Sequence, residues 1–170
     1  MARAQLSGMR ALVLGAETAA GRLLAAALAA AGARTAIVAA SGDPEVAFAV
    51  QRLSRRIGAY SQSIDATNEM AVRVMTRQVS KVLGGLDLLV FCADLGEGTA
   101  DSLALAARFA AREIARSGDG TILVAPLEST GVDVAALAAD HERPGVRIIG
   151  LDVPAEPDET WARDALGRLA

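Results

Sequence analysis

Residues Leu12-Val13-Leu14-Gly15-Ala16-Glu17-Thr18-Ala19-Ala20-Gly21-Arg22 carry a short apolar strand through small residues straight into an Ala/Leu-rich helix. A strand, a glycine turn and a helix in that order form an anion cradle. Gly15 permits the tight turn, small residues let backbone N–H groups approach a phosphate, and the helix directs its positive end there. Everything downstream repeats the alternation of apolar strand and amphipathic helix, which restricts the chain to a layered α/β fold.

Residues 11–14 read as a buried strand and 19–31 as a helix stopped by Gly32. Residues 35–39 form a second apolar strand. Asp43 and Pro44 then read as N-cap and first residue of a helix carrying Ala47, Val50, Leu53 and Ile57 up to Gly58. A weaker strand covers 59–64, and the Asp65-Ala66-Thr67 loop caps a helix with Val72, Met75, Val79 and Val82 on one face. Residues 86–92 make the clearest strand, and a loop with Gly96 and Gly98 leads to a helix over 101–116. A strand at 121–125, a short helix at 132–140, a strand at 146–151 and a helix at 159–169 complete the pattern. The expected fold is α/β, a Rossmann-type doubly wound parallel sheet of six strands in the order 3-2-1-4-5-6 with helices on both faces. Any ligand belongs at the carboxyl ends of strands one and four, where the order reverses.

The 170 residues suit one domain, 1–170, burying roughly two-thirds of the surface of its unfolded chain. Only 3% are aromatic and the net charge is −3 with scattered basic residues, which speaks against a nucleic-acid partner. Cys92 is the single cysteine, excluding a disulfide within the chain and a thiolate metal cluster, and the dispersed acids suggest no metal site. Residues 1–10 lack the apolar core of a signal peptide and 23–31 are too few to span a bilayer, so a cytoplasmic protein without a membrane partner is expected.

The motifs, taken in order, resemble the short-chain dehydrogenase/reductase family over nearly the whole chain. Gly15-x-x-x-Ala19-x-Gly21 resembles its GxxxGxG with alanine at the middle glycine. The same stretch is also similar to GxxGxxG of the extended and atypical branches, with Thr18 in the middle place. Asp65-Ala66-Thr67 resembles the adenine-contacting Asp loop, and Leu86-Asp87-Leu88-Leu89-Val90-Phe91-Cys92-Ala93-Asp94 the LDxLVNNAG strand. Gly120-Thr121-Ile122-Leu123-Val124 resembles GxIVN, and Pro144-Gly145-Val146-Arg147-Ile148-Ile149 the GIRVN strand. The Asp65 loop and the Leu86 strand favour the classical branch.

That resemblance implies NAD or NADP as cofactor, held by Gly15, Thr18, Ala19, Ala20, Gly21, Ser41, Asp65, Ala66, Cys92 and Ala93. Ala39-Ala40-Ser41-Gly42, ending the second strand, supplies neither the acid that holds the ribose of NAD nor an Arg for the phosphate of NADP. Phe91-Cys92 stand where the family has Asn-Asn and Asp94 where it has glycine; Phe91 is bulky enough to alter the nicotinamide pocket, and the extra methyl at Ala19 weakens the cofactor contact.

The family's chemistry rests on a Ser and on a Tyr and Lys one helical turn apart. Tyr60 and Lys81 are the only tyrosine and lysine, and both precede the half of the chain where that pair belongs. Glu128, Ser129 and Thr130 fall near the place of the family's Ser without an evident partner. Residues 128–144 have room only for a stub of the catalytic helix, and too few residues follow Pro154 for a substrate-covering segment. No catalytic residue is therefore assigned. Cys92 reads as a small core residue, His141 as a helix-end surface group, and Trp161 as packing.

The leading expectation is a domain without its own catalysis, a structural or regulatory subunit pairing with itself or with an active relative. Its rivals are an active NAD(P)-dependent oxidoreductase with an atypical or partner-supplied acid, and a structural half of a larger reductase. Family members commonly associate through the helices after strands four and five. Here residues 102–114 are apolar around most of the helix, which calls for cover on the outer side, as a homo-oligomer or hetero-oligomer would provide.

Overall fold

Strands with period-two burial on both faces need a helical layer on each side, and that is what forms. The computed structural model describes residues 5–125, 133–141 and 143–169. Six strands run β1 (Arg10–Leu14), β2 (Arg34–Ala39), β3 (Tyr60–Ser63), β4 (Leu88–Phe91), β5 (Gly120–Val124) and β6 (Val146–Gly150). They are parallel throughout and ordered β3-β2-β1-β4-β5-β6, as the sequence predicts. The helices are α1 (Ala19–Ala30), α2 (Pro44–Ile57), α3 (Glu69–Leu83), α4 (Thr99–Ser117), α5 (Val134–Asp140) and α6 (Glu159–Gly167).

On one face Leu12, Leu14, Val38, Leu89, Phe91 and Ile122 pack with Val72, Met75 and Val79 of α3 and Leu103, Ala106 and Ile114 of α4. On the other, Val13, Ile37, Val90 and Leu123 meet Leu24 and Leu28 of α1, Val50 and Leu53 of α2 and Ala162, Ala165 and Leu166 of α6. Alternate residues of one strand thus feed two separate cores, the arrangement expected of a sheet buried on both sides.

Local chemistry sets the helix ends. Thr18, Asp43, Asn68, Asp133 and Asp158 accept from backbone N–H groups in the first turns of α1, α2, α3, α5 and α6. Gly58 and Gly84, at φ 72° and 82°, close α2 and α3. The cap of α3 is Asn68 rather than the Asp65 loop, because Asp65 is folded onto Thr67.

The helix that the sequence leaves in need of an outer cover finds much of it within the chain. Leu103, Phe109 and Ile114 of α4 are buried, and the guanidiniums of Arg108 and Arg112 lie over the Phe109 ring at 4.5 and 5.6 Å. Among the described residues no helix is long and apolar enough to cross a membrane.

Candidate functional site

The carboxyl end of β1 touches the carboxyl end of β4 at one residue. Gly15 has φ +95°, and a Cβ there would strike the Ala93 nitrogen and lie 2.6 Å from both the Ala93 Cα and the Cys92 carbonyl carbon. The turn is held back toward β2 as well, since Gly15 and Ala16 N–H groups both donate to the Val38 carbonyl, at 2.9 and 3.3 Å. Thr18 then starts α1: its hydroxyl donates to the Gly15 carbonyl at 2.9 Å and accepts from the Gly21 N–H at 3.0 Å. At Gly21 a Cβ would collide with the Gly15 carbonyl oxygen and sit 3.0 Å from the Ala16 Cα.

Gly15 and Gly21 are therefore demanded by backbone contact, whereas the middle position of the motif is not. Ala19 is exposed, so its methyl is open to solvent at the start of α1. Ala20 beside it is buried. The first N–H groups of a helix have no carbonyl partner within it, which leaves the Ala19 and Ala20 amides at the positive end of α1 for an anion. A cradle that side chains would fill, opening onto free donors, fits a pyrophosphate.

Around this turn the remaining predicted residues take up distinct places. Asp65 follows β3; its Oδ1 accepts from the Thr67 N–H at 3.0 Å and the Thr67 hydroxyl at 2.6 Å. The hydroxyl, then the N–H, holds the Asp65 carboxyl below the usual range. Ala66 is buried next to it. Ser41 follows β2 and accepts from the Asp43 N–H at 3.1 Å, while Asp43 caps α2 by accepting from the Glu45 N–H at 2.8 Å. Cys92 is buried, with its N–H donating to the Leu14 carbonyl at 2.9 Å. Burial, and secondly the Glu17 carboxylate, pushes its thiol pKa up, which makes it a poor nucleophile.

One expectation is corrected. Phe91 is wholly buried among the residues packed by α3 and α4, so it lies in a core and does not shape a nicotinamide pocket. Strand alternation explains it: Phe91 and Cys92 point to opposite faces of the sheet. Asp94 is exposed beyond β4 and accepts from the Gly96 N–H at 3.3 Å.

A residue passed over in the sequence reaches into the same place. Glu17 is half-buried, and both of its carboxylate oxygens lie 3.2 Å from the Ala40 N–H at the end of β2. Burial raises its pKa, against the opposing pull of its own N–H and that of Ala40. The available signal was an acid standing alone in a turn of small residues.

Tyr60 and Lys81 stand elsewhere. Tyr60 is the first residue of β3, and its hydroxyl accepts from Gln62 Nε2 at 2.7 Å. Lys81 lies in the last turn of α3, whose following carbonyls are held by Arg34 and Arg10, residues that begin β2 and β1. Lys81 therefore sits toward the amino-terminal edge of the sheet, while Tyr60 starts the outer strand level with Ala36, and so with Leu12 in the middle of β1, two strands to the side of the glycine turn. Glu128, Ser129 and Thr130 lie outside the described residues. His141 ends α5, with burial as the main influence lowering its pKa, and Trp161 Nε1 donates to the Asp152 carbonyl at 3.2 Å. Among the described residues no three His, Cys, Asp or Glu side chains are grouped to hold a metal.

The short chain dehydrogenase family model matches residues 9–125. A short-chain type dehydrogenase/reductase from Mycobacterium marinum is 30% identical with a TM-score of 0.62, covering 72% of this chain and 57% of that one. The chain thus spans little more than half the length of that relative. A short chain dehydrogenase from Burkholderia cenocepacia J2315, in complex with NADP, is 23% identical with a TM-score of 0.70, covering 96% of this chain and 89% of that one. Hydroxysteroid dehydrogenase from Escherichia coli is 21% identical with a TM-score of 0.75, covering 88% and 72%. At those two identities the likeness concerns the fold. No curated protein matches the sequence. The match runs from β1 through β5 and includes every contact of the glycine turn, and on that ground the chain belongs to the short-chain dehydrogenase family.

Proposed function

We propose that this chain is a nicotinamide-dinucleotide-binding domain of the short-chain dehydrogenase family that does no redox chemistry alone and serves as a structural or regulatory subunit, pairing with itself or with an active reductase. The backbone N–H groups of Ala19 and Ala20 hold the pyrophosphate of NAD or NADP, in a cradle shaped by Gly15, Thr18 and Gly21. Ser41 lies toward the adenosine ribose, Asp65 and Ala66 toward the adenine, and Cys92 and Ala93 line the β4 side of the crevice. Such a cofactor, when bound, supplies a hydride donor or acceptor.

The observation that carries the reading is where Tyr60 and Lys81 stand. A proton donor must come within about 3 Å of the reacting oxygen, whereas Tyr60 stands on the outer strand β3, two strands and roughly 10 Å to the side of β1 and its glycine turn, and Lys81 at the carboxyl end of α3. Lacking that donor costs about 10²–10⁴ in rate. A second reading, an active oxidoreductase, is favoured by Ser129 and Thr130, which follow β5 in the sequence where the family's Ser belongs.

The test is a melting series with NADH and NADPH beside a ketone and alcohol panel. At 100 times its dissociation constant a bound cofactor adds about 2.7 kcal/mol of stability. Stabilisation without turnover is the expected result. Turnover by the purified chain establishes the second reading, and absence of stabilisation by either cofactor removes the dinucleotide from both.

A further inference from the structure

We propose that Glu17 is the acid that reads the adenosine ribose in this chain, selecting NAD over NADP; the inference rests on the dinucleotide reading above. An open α/β sheet that takes NAD ordinarily presents an acid from the end of β2 to the ribose hydroxyls. Here that strand ends in Ala39-Ala40-Ser41-Gly42, with no acid and no Arg. Glu17 reaches across from the glycine turn and places its carboxylate on the Ala40 N–H, both oxygens at 3.2 Å. An acid carried by β1's turn thus arrives where an acid from β2 would stand.

Its remaining bonding capacity suits a diol. A carboxylate offers about four lone-pair directions, and the Ala40 N–H leaves acceptor positions unused. Two neighbouring hydroxyls can each donate to one oxygen. A phosphate on the 2′ position cannot donate when ionised, and it would bring a second negative charge against a half-buried carboxylate, where water screens the repulsion poorly. The opposing influence is Arg22, whose Nη1 donates to the Glu17 main-chain carbonyl at 2.6 Å from an exposed position on α1. If its guanidinium read a 2′-phosphate, the preference would reverse.

Titrations of the purified chain with NADH and with NADPH, followed by the fluorescence of the reduced nicotinamide, separate these outcomes. The wild type is expected to bind NADH about 30-fold more tightly than NADPH. Glu17→Gln keeps an acceptor for the Ala40 N–H but drops the charge, and is expected to bring the two within about threefold. Glu17→Arg is expected to favour NADPH. Each variant is first matched to the wild type in circular dichroism and melting temperature; should one fail to fold, the other carries the comparison. Equal binding of both cofactors by the wild type, a preference for NADPH, or an unchanged ratio in Glu17→Gln overturns the assignment to Glu17 and leaves the dinucleotide reading standing. Binding of neither overturns both.

Discussion

The Arg10 guanidinium grips the Asp87 carboxylate through two bonds, Nε to Oδ2 at 2.9 Å and Nη2 to Oδ1 at 2.8 Å. The Arg10 N–H adds a third to Oδ2 at 2.9 Å, and Nη1 reaches the Gly84 carbonyl at 2.6 Å. This clamp joins the start of β1 to the residue before β4, the two strands whose far ends meet at the glycine turn.

The clamp makes stability depend on acid. Hydrogen bonding to Arg10 is the main cause holding the Asp87 carboxyl below its ordinary range, with burial opposing it. A group depressed in the folded state contributes fully above its unfolded pKa, about 3.9, and loses that contribution as pH falls through the lower folded value. Asp87→Asn should therefore cost about 1 kcal/mol at pH 7. Urea unfolding at a series of pH values should show the gap between wild type and variant narrowing below about pH 4. A gap that stays constant down to pH 2 would contradict this account.

Gly15→Ala should cost far more than Ala19→Gly although each changes the chain by one methyl. At Gly15 the added carbon meets the Ala93 backbone with φ +95°, so the change should cost about 3 kcal/mol or more. At Ala19 the carbon removed is exposed, and the loss should stay within about 1 kcal/mol. Denaturant midpoints of the two variants decide it, and comparable losses would mean the turn is looser than described.

Thr18→Ala removes a hydroxyl that bonds both the Gly15 carbonyl and the Gly21 N–H. A loss of about 1 kcal/mol is expected, with Thr18→Ser recovering most of it. If serine fails to restore the melting temperature, the methyl rather than the cap was responsible.

The Cys92 thiol should resist an aromatic disulfide reagent in the native protein and react fully once the chain is unfolded in guanidinium. Its burial both hides the sulfur and disfavours the thiolate. Rapid labelling without denaturant would show that the β4 end opens readily.

Much of the architecture was legible residue by residue. Val13 and Leu14, or Val90 and Phe91, are apolar in succession because their strands are buried on both faces, and Gly58 and Gly84 stop helices where a left-handed residue is needed. The glycine turn was legible at Gly15, Thr18 and Gly21, whose local spacing is the turn itself. Its setting was not legible at Phe91, which a motif comparison puts beside the nicotinamide but the pleat turns into a core. Nor was it at Asn68, which displaces the Asp65 loop as the cap of α3 because Asp65 spends its carboxylate on Thr67.

The amino-acid sequence by itself determined the alternation of strand and helix, the order of the sheet and the place where its winding reverses. The alternation follows from periodicity and glycine, which act over a few neighbouring residues, and the strand order from the rule that repeated right-handed strand–helix–strand units wind a parallel sheet both ways from its first strand. Only the tertiary structure decided that Glu17 would span from the turn to Ala40, that the Ala19 methyl would face outward, and that α3 and the arginines over Phe109 would cover α4. These depend on distances between residues far apart in the chain, set when strands of fixed twist and spacing pack beneath their helices.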